Sequence, residues 1–332
     1  MKKKPALLGA LSAAVLLLSA CSSGSDTPES GGSPNTASNS SAYPVTVPTK
    51  FGDVTVEKKP ERVVALGWGD AETALELGVQ PVGASDWLQF GGTGVGPWDA
   101  GKYQNPPEII QTQDPSYEKI AALRPDLILD VRGSGDQRRH DLLAKIAPTV
   151  GIPAGAENYL TSTEQETTTI AAALGVKKQG EELLAQVDKA FSAAAEAHPG
   201  WKGKSVTVAT RTSEGWGAYT EGDVRLGFLQ KLGFQQSPAI AKLKPNSGGF
   251  SASISGEQLG LLDADLLVAF PIFIDRKQIA DEPQWKLIPA VKDGRSVVID
   301  GELSNAFSAG TPGAQRYALE KLVPLMEKTG LK

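Results

Sequence analysis

The sequence predicts an α/β fold in which two lobes are joined by one long, rigid helix. Short apolar runs typical of buried strands alternate with stretches of helical periodicity from Tyr43 onward, which is the pattern of layered α/β proteins. The longest helical stretch covers residues 177–198 and carries an apolar stripe along one face. A segment of the first half, residues 118–129, also recurs in the second half. Together these observations predict two similar lobes on either side of a helix.

The first half contains four predicted strands, each a short apolar run. They are expected at residues 62–66, 81–84, 126–130 and 149–153, with helices at 70–78, 118–123 and 138–146 between them. Asp70 is expected to cap the first helix and Gly78 to end it. Two further helices, at 164–174 and 177–198, precede a Pro-Gly pair at which the helical pattern stops.

The second half repeats the alternation of strand and helix. Strands are expected at 205–210, 265–270 and 296–300, and a terminal amphipathic helix at 315–328. Residues 118–129 align without gaps on residues 257–268, each beginning with Glu, with an Asp and three aliphatic residues at matching positions. One interpretation is that any short helix leading into a buried strand has this pattern, since Glu is favoured near a helix N-terminus. The favoured interpretation is a pseudo-twofold pair of lobes, with Glu118 and Glu257 at equivalent positions.

The N-terminal region is typical of a secreted protein. Three lysines at positions 2–4 precede an apolar run over 6–18, which is shorter than the roughly 20 residues that span a bilayer. Residues 1–20 are therefore expected to be a signal peptide. The run ends in Leu-Ser-Ala-Cys, which resembles the lipobox of bacterial lipoproteins and predicts lipidation of Cys21; the alternative is a buried thiol behind a plain signal anchor. Residues 21–47, rich in Ser, Gly, Pro, Thr and Asn, are expected to be a flexible tether.

Composition excludes several classes of partner and site. The chain has 332 residues, 33 Lys and Arg against 38 Asp and Glu, and a formal net charge of −5, which gives no basic surface for nucleic acid. One Cys excludes an intramolecular disulfide and a Cys-rich zinc site. The two histidines, His140 and His198, are expected to be surface residues rather than iron ligands, so no metal site and no cofactor is predicted.

Three segments carry a resemblance to a known family. PERVVAL at 60–66, ETALELGVQPVG at 72–83 and YEKIAALRPDLIL at 117–129 resemble the substrate-binding proteins of iron-siderophore ABC importers, a group that includes vitamin B12 and haem binders. The similarity extends from Phe51 to the C-terminus. It implies the class III periplasmic binding protein fold, with Rossmann-like lobes at 48–163 and 200–332, helices including the rigid backbone helix at 164–199, and a shallow ligand cleft between the lobes.

The resemblance also implies a partner in the membrane. In that family a Glu on each lobe docks onto arginines of a dimeric ABC transporter permease, and the matching positions are Glu118 and Glu257. Two equivalent carboxylates on one surface suit a twofold partner with equivalent patches. The expectation is a monomeric, non-enzymatic lipoprotein on the outer face of the cytoplasmic membrane that delivers a ferric siderophore.

Candidate ligand contacts follow the predicted strands, because ligands of open α/β sheets bind beyond the carboxyl ends of strands. Aromatic faces and guanidinium groups suit a compact complex with peripheral oxygens, although each side chain could instead pack in the core. The candidates are Trp68, Trp87, Arg132, Arg211, Trp216, Tyr219, Phe273 and Phe307, with Trp98 as a weak extra contact on a glycine-rich rim loop.

Other functions remain as alternatives. Haem is the leading one and cobalamin the next, with Tyr219 or a His as an axial ligand of haem. The glycines at 91–96 miss the dinucleotide spacing GxGxxG, and GSG at 133–135 misses the nucleophile spacing GxSxG, so an exported hydrolase is disfavoured. An adhesion or structural lipoprotein would not need the paired glutamates.

Overall fold

A computed structural model describes residues 42–331 of the chain. The predicted signal peptide, the lipidation site Cys21 and most of the predicted tether lie outside the described residues. The first element is an antiparallel hairpin that the sequence analysis did not predict, formed by β1 (Val45–Thr49) and β2 (Gly52–Val56). Its first strand begins inside the stretch predicted as tether. These residues form a strand because Val45 and Val47 alternate with polar residues and turn their apolar side chains toward the core of the first half.

The first half is built on a five-stranded parallel sheet. Its strands are β3 (Val63–Ala65), β4 (Gly83–Ser85), β5 (Glu108–Ile110), β6 (Leu127–Leu129) and β7 (Thr149–Val150), in the order β5-β4-β3-β6-β7. Its helices are α1 (Asp70–Glu76), α2 (Tyr117–Ala122), α3 (Gln137–Ala144) and α4 (Thr163–Ala173), with a 3₁₀ turn at Pro97–Asp99. Side chains on both faces of β3 and β6 are buried, which explains the continuous apolar runs in the sequence.

One long helix, α5 (Lys177–Ala197), connects the two halves, as the sequence predicted. Its 21 residues span about 31 Å at roughly 1.5 Å per residue. Leu183 packs in the core of the first half, whereas Val187 and Phe191 pack in the core of the second. Gly180 lets α5 approach α4 closely, because a Cβ at this position would lie 2.6 Å from Cβ of Ala171. The helix is therefore a shared structural element of both halves.

The second half is built on a six-stranded mixed sheet. Its strands are β8 (Ser205–Thr212), β9 (Gly215–Tyr219), β10 (Gln235–Gln236), β11 (Ser251–Ile254), β12 (Leu266–Pro271) and β13 (Ser296–Val298). Its helices are α6 (Val224–Lys231), α7 (Pro238–Ala241), α8 (Lys277–Ala280), α9 (Pro289–Lys292), α10 (Gly301–Ala309) and α11 (Pro312–Glu327), with 3₁₀ turns at Pro199–Trp201, Gly256–Leu262 and Trp285–Leu287.

The strand order of this sheet is β11-β9-β8-β12-β13, with β10 paired to β8. Strands β9 and β11 run antiparallel to their neighbours and the others run parallel. The observed fold is the predicted α/β class, and the antiparallel pair is where the second half departs from a purely parallel lobe. The lobe boundaries drawn from the sequence stay predictions.

The internal repeat corresponds to equivalent positions in the two sheets. The first copy forms α2 and β6, and β6 lies beside the central strand β3; the second forms the 3₁₀ turn Gly256–Leu262 and β12, which lies beside the central strand β8. The two copies therefore share their place in the topology, although only the first opens with an α-helix.

Asp70 was predicted to cap α1, and this was wrong. The residue before α1 is Gly69, with φ of 87°, and Asp70 is the first helical residue. Its buried carboxylate accepts backbone N–H bonds from Gly67 at 3.1 Å, Val131 at 2.8 Å and Arg132 at 3.3 Å. Asp70 therefore ties together the two loops that follow β3 and β6. None of the helices within residues 42–331 is long and apolar enough to cross a membrane.

Candidate functional site

Aromatic side chains from both halves of the protein meet in one cluster. We call Trp68, Trp87, Tyr159 and Phe250 the aromatic cluster. The ring of Trp68, after β3, stacks on Trp87, after β4, with centroids 4.4 Å apart and planes 1° from parallel. Tyr159 stacks on Trp68 at 4.2 Å, while Phe250 of the second half meets Trp68 at 6.4 Å and Tyr159 at 6.5 Å, edge to face. The cluster thus lies where the two halves come together.

The sequence analysis named Trp68 and Trp87 but missed Tyr159 and Phe250. Tyr159 has φ of 57°, a left-handed conformation that is uncommon for a residue other than glycine. Its N–H donates to the carbonyl of Gly133 at 3.0 Å, which fixes the loop against the residues that follow β6. Only its position in the loop after the strand predicted at 149–153 could have pointed to it.

Trp68 carries an unused hydrogen-bond donor. Its indole Nε1 is buried and has no hydrogen-bond partner among the described protein atoms. Buried indole N–H groups normally have a partner, because the cost of an unmade hydrogen bond is high. The donor therefore lies within the cluster and is free to bind an oxygen of a ligand.

Phe273 lies at the carboxyl edge of the second sheet. It follows β12, its side chain is 72% exposed, and its φ is 54°. A large apolar side chain in a left-handed conformation is disfavoured twice, by backbone strain and by exposure to water. Such a combination is typical of residues kept for binding.

Two of the arginines near these edges are held in ion pairs. Arg139 binds both oxygens of Asp130, which follows β6, with Nε 2.9 Å from Oδ2 and Nη2 3.0 Å from Oδ1. Arg225 pairs with Asp223 at 2.6 Å, and both side chains are buried. Their charges are therefore neutralised within the protein.

Arg211, a predicted ligand contact, lies at the end of β8 and is half-buried. Its Nη1 donates to the carbonyl of Thr212, and its guanidinium lies 5.9 Å from the ring centre of Trp216. Its Nε is buried and has no hydrogen-bond partner among the described protein atoms. Arg211 is therefore held beside the edge of the second sheet with one donor unused.

Arg132, also predicted to contact ligand, lies inside the boundary between the halves. Its side chain is 1% exposed, and Nη1 donates to the carbonyl of Ala309 in the second half at 2.6 Å. Burial lowers the pKa of its guanidinium, while the carboxyl group of Glu166 opposes that shift. The structure thus places Arg132 in contact with the other half.

Arg132 belongs to a set of polar contacts that joins residues 309–316 of the second half to the first half. We call residues 309–316 the junction segment and this set of contacts the polar seam. Thr163 donates to the carbonyl of Gly310 at 2.6 Å, and Gln315 donates to Thr163 at 2.7 Å. The carboxylate of Glu76 accepts from the N–H of Gly313 at 2.6 Å and pairs with Arg316 at 2.9 Å. The two halves are therefore joined by this seam as well as by α5.

Three other predicted contacts lie in the core of the second half. Trp216 stacks on Trp285 at 5.4 Å, Tyr219 stacks on Phe270 at 5.8 Å, and Phe307 meets Phe228 edge-on at 5.2 Å. All three side chains are buried, and burial raises the pKa of Tyr219 to about 12. In this structure the three side chains therefore pack in the core, which is the alternative that the sequence analysis gave for each candidate.

The glycine-rich loop with Trp98 lies against both halves. The ring of Trp98 is 5.6 Å from that of Tyr317 on α11 and 5.6 Å from that of Phe90. Beneath the loop, Glu72 accepts the N–H of Gly96 at 2.9 Å. Burial, reinforced by the neighbouring carboxylate of Asp99, raises the pKa of Glu72 to about 8. Burial, reinforced by Glu76, likewise raises the pKa of Asp99 to about 7.

Glu118 and Glu257 are both exposed. Each lies in the first turn of a helix that leads into a parallel strand, so each lies near the carboxyl edge of its sheet. Ser116 caps α2 by accepting the N–H of Lys119 at 3.3 Å, and Ser255 precedes the second turn. Neither carboxylate forms an ion pair with another residue in 42–331.

The two histidines, predicted to be surface residues rather than iron ligands, are half-buried, and each packs against an aromatic ring. His140 stacks on Phe51 with ring centres 4.1 Å apart, and burial lowers its pKa. His198 stacks on Trp201 at 4.0 Å and bonds Glu327 at 2.8 Å. Within the described range, no group of three His, Cys, Asp or Glu side chains could hold a metal ion.

Comparison with known proteins places the chain among binding proteins of transporters. The profile of the family described as "Periplasmic binding protein" matches residues 63–303. YhfQ of Bacillus subtilis (strain 168), whose name gives it an expected role as an ABC transporter substrate-binding lipoprotein, is 29% identical over 90% of this chain and 91% of its own length. The Fe(3+) dicitrate-binding periplasmic protein FecB of Escherichia coli (strain K12) is 28% identical over 85% of this chain and 90% of its own.

Solved structures share the fold. The crystal structure of PiaA from Streptococcus pneumoniae TIGR4 in complex with ferrichrome has a TM-score of 0.74 and 27% sequence identity. The similarity covers 86% of this chain and 98% of that chain. The match therefore extends over both sheets and the helix between them.

Proposed function

Since the chain belongs to the periplasmic binding protein family, we propose that it is a non-enzymatic, extracytoplasmic receptor that binds a ferric siderophore and delivers it to an ABC permease. The aromatic cluster is the observation that supports this proposal most directly. Trp68, Trp87 and Tyr159 come from the first half and Phe250 from the second, so a ligand that contacts them touches both halves. Relatives named for ferric dicitrate and crystallised with ferrichrome support the same class of cargo.

The cluster suits a compact chelate that brings its own ligands for iron. Aromatic faces contribute apolar contact area, and the unused Nε1 of Trp68 donates to an oxygen on the rim of the chelate. Both faces of the Trp68 ring are covered, by Trp87 and by Tyr159. A bound chelate therefore takes the place of one of these two rings.

Haem requires an axial ligand from the protein, and the candidates for that role are occupied. Tyr219 is buried against Phe270, with the guanidinium of Arg225 4.0 Å from its ring centre. His140 and His198 each stack on an aromatic ring that does not belong to the cluster. These contacts favour a chelated ferric ion over haem.

Delivery involves a second surface and a lipid. Glu118 and Glu257 project from equivalent places on the two halves and address equivalent arginine patches on a dimeric permease. A diacylglycerol on Cys21 keeps the monomeric receptor at the outer face of the cytoplasmic membrane. The stretch from residue 22 to the hairpin allows it to reach the permease.

Titration of the full chain with ferric siderophores and with haem tests this function. We expect tryptophan fluorescence to be quenched saturably by a ferric siderophore, because Trp68 and Trp87 lie at the site, and the Soret band of haem to stay unshifted. Phe273→Ala should weaken the affinity. Leu287→Ala is the matched control, because Leu287 is also an exposed apolar residue, 55% accessible, but lies in the 3₁₀ turn Trp285–Leu287. A Soret shift without quenching by any siderophore would contradict the proposal.

A further inference from the structure

We infer that Tyr159 is a built-in competitor of the cargo, whose ring must leave Trp68 before the cargo binds, an inference that rests on the proposed function. Trp68 lies between two other rings. Trp87 stacks on it with centroids 4.4 Å apart, and Tyr159 stacks on it at 4.2 Å, so both of its faces are covered. A cargo that stacks on Trp68 therefore has to displace one of these two rings.

Trp87 is held in place by its own loop. Asp86, directly before it, accepts the N–H groups of Phe90 at 2.9 Å and Gly91 at 2.8 Å. These two hydrogen bonds close a turn around Trp87 immediately after β4. The ring of Trp87 is also parallel to that of Trp68 within 1°. Trp87 therefore forms the fixed side of the stack.

Tyr159 belongs to a loop, residues 154–160, that is fixed mainly at its two ends. Before the loop, Pro153 pairs with the end of β1. After the loop, the buried hydroxyl of Thr161 donates to the carbonyl of Val131 at 2.9 Å. Four of the seven loop residues between these anchors are exposed. The loop can therefore move without disturbing the sheet of the first half.

The backbone of Tyr159 is strained while its ring is stacked. Its φ of 57° lies in the left-handed region, which is disfavoured for a bulky side chain. Its N–H donates to the carbonyl of Gly133 at 3.0 Å. Moving the ring away exchanges this one hydrogen bond for bonds to water, at a small net cost, and relieves the strain. Of the two rings on Trp68, Tyr159 is therefore the one that is displaced more easily.

The same loop closes the space toward the second half. The side chain of Leu160 lies 3.8 Å from the position that a Cβ would take on Gly222 and 3.9 Å from the corresponding position on Gly249. Phe250 meets the ring of Tyr159 edge to face at 6.5 Å. One movement of the loop therefore uncovers the aromatic cluster on the sides of both halves.

A competitor within the chain lowers affinity in a recognisable way. It reduces the fraction of protein that can bind, so the association rate constant falls with the open fraction, whereas the dissociation rate constant of bound cargo does not depend on it. A residue that only contacts the cargo acts differently, because losing a contact mainly raises the dissociation rate constant. Kinetics therefore separates the two roles.

Stopped-flow tryptophan fluorescence of the full chain mixed with ferrichrome or with ferric dicitrate measures both rate constants. Tyr159→Ala removes the competing ring, so the association rate constant should rise about tenfold with the dissociation rate constant unchanged. Tyr159→Phe is the matched control, because it keeps the ring and should behave as the wild type. Trp87→Ala removes the fixed side of the stack and should instead raise the dissociation rate constant.

A second variant tests the loop without altering the cluster. Leu160→Ala weakens the contact of the loop with Gly222 and Gly249 and so favours the open loop. It should also raise the association rate constant, by a smaller factor than Tyr159→Ala. Circular dichroism shows whether each variant is folded, and an unchanged association rate constant in folded Leu160→Ala and Tyr159→Ala would contradict the inference.

The outcomes separate this inference from the proposed function. A raised dissociation rate constant with an unchanged association rate constant in Tyr159→Ala would make Tyr159 a cargo contact, which overturns the competitor and leaves the receptor. Faster association in Trp87→Ala and not in Tyr159→Ala would overturn it in the same way. No fluorescence change with either chelate, in the wild type and in Tyr159→Ala, would count against the proposed function as well.

Discussion

Replacing Arg132 by Met tests whether the seam between the halves is a structural link. Met keeps most of the length and apolar volume of the side chain but removes the N–H that donates to Ala309 at 2.6 Å. The carbonyl of Ala309 then loses a partner inside the protein, and the buried carboxyl groups of Glu166 and Asp223 lose the guanidinium nearby. Losing a hydrogen bond from a charged donor and leaving the buried carbonyl of Ala309 unpaired costs about 1.5–3 kcal/mol.

Urea unfolding followed by circular dichroism measures the loss. Arg138→Met is the control, because Arg138 is exposed on α3 in the same half and its replacement should change the unfolding free energy by less than about 0.5 kcal/mol. A loss below about 1 kcal/mol for Arg132→Met would refute the structural role. Weakened siderophore binding with unchanged stability would instead identify Arg132 as a ligand contact, as the sequence analysis expected.

Three further predictions follow from the buried acids, the paired glutamates and the anchor. Because the pKa values of Glu72 and Asp99 are raised in the folded protein, these groups hold protons that the unfolded chain releases, and the free energy of unfolding should fall from pH 5.5 to 8.5. Urea titrations measure this pH dependence, and Glu72→Gln should make it weaker. A free energy of unfolding that rises with pH would contradict the prediction. Glu118→Ala with Glu257→Ala should abolish iron uptake in cells with chelate affinity unchanged; lost affinity refutes a docking role. Cys21→Ser should move the protein from the membrane fraction to the soluble fraction, and retention at the membrane refutes the lipid anchor.

Local patterns in the sequence were enough for most of the fold. A strand that is buried on both faces of its sheet has a continuous apolar run in the sequence. The strands β3, β6, β8 and β12 could therefore be located within one or two residues. The stripe on α5 predicted one helix packing along its length, and the structure divides that stripe between two cores. The hairpin β1–β2 was missed because its apolar residues alternate with polar ones beside a low-complexity stretch.

The site was predicted less completely, for a physical reason. A residue that follows a strand lies at the carboxyl edge, but its side chain points either to the cleft or to the core, and only the packing decides which. Trp68 and Trp87 point to the cluster, whereas Trp216 and Phe307 point to the core. Phe250 precedes an antiparallel strand, so a rule about the ends of parallel strands could not identify it.

Equilibrium dialysis of iron-labelled ferrichrome against the wild-type chain and Phe250→Ala tests most directly whether a siderophore binds between the halves. The variant removes the aromatic contact that the second half makes with Trp68 and leaves Trp68 and Trp87 in place. Dialysis measures bound iron directly, so the result does not depend on tryptophan fluorescence. We predict one chelate per chain for the wild type and an affinity about thirtyfold weaker for Phe250→Ala, corresponding to about 2 kcal/mol for a central aromatic contact. No retained iron in the wild type, or equal affinity in both proteins, would contradict a siderophore site formed by the two halves.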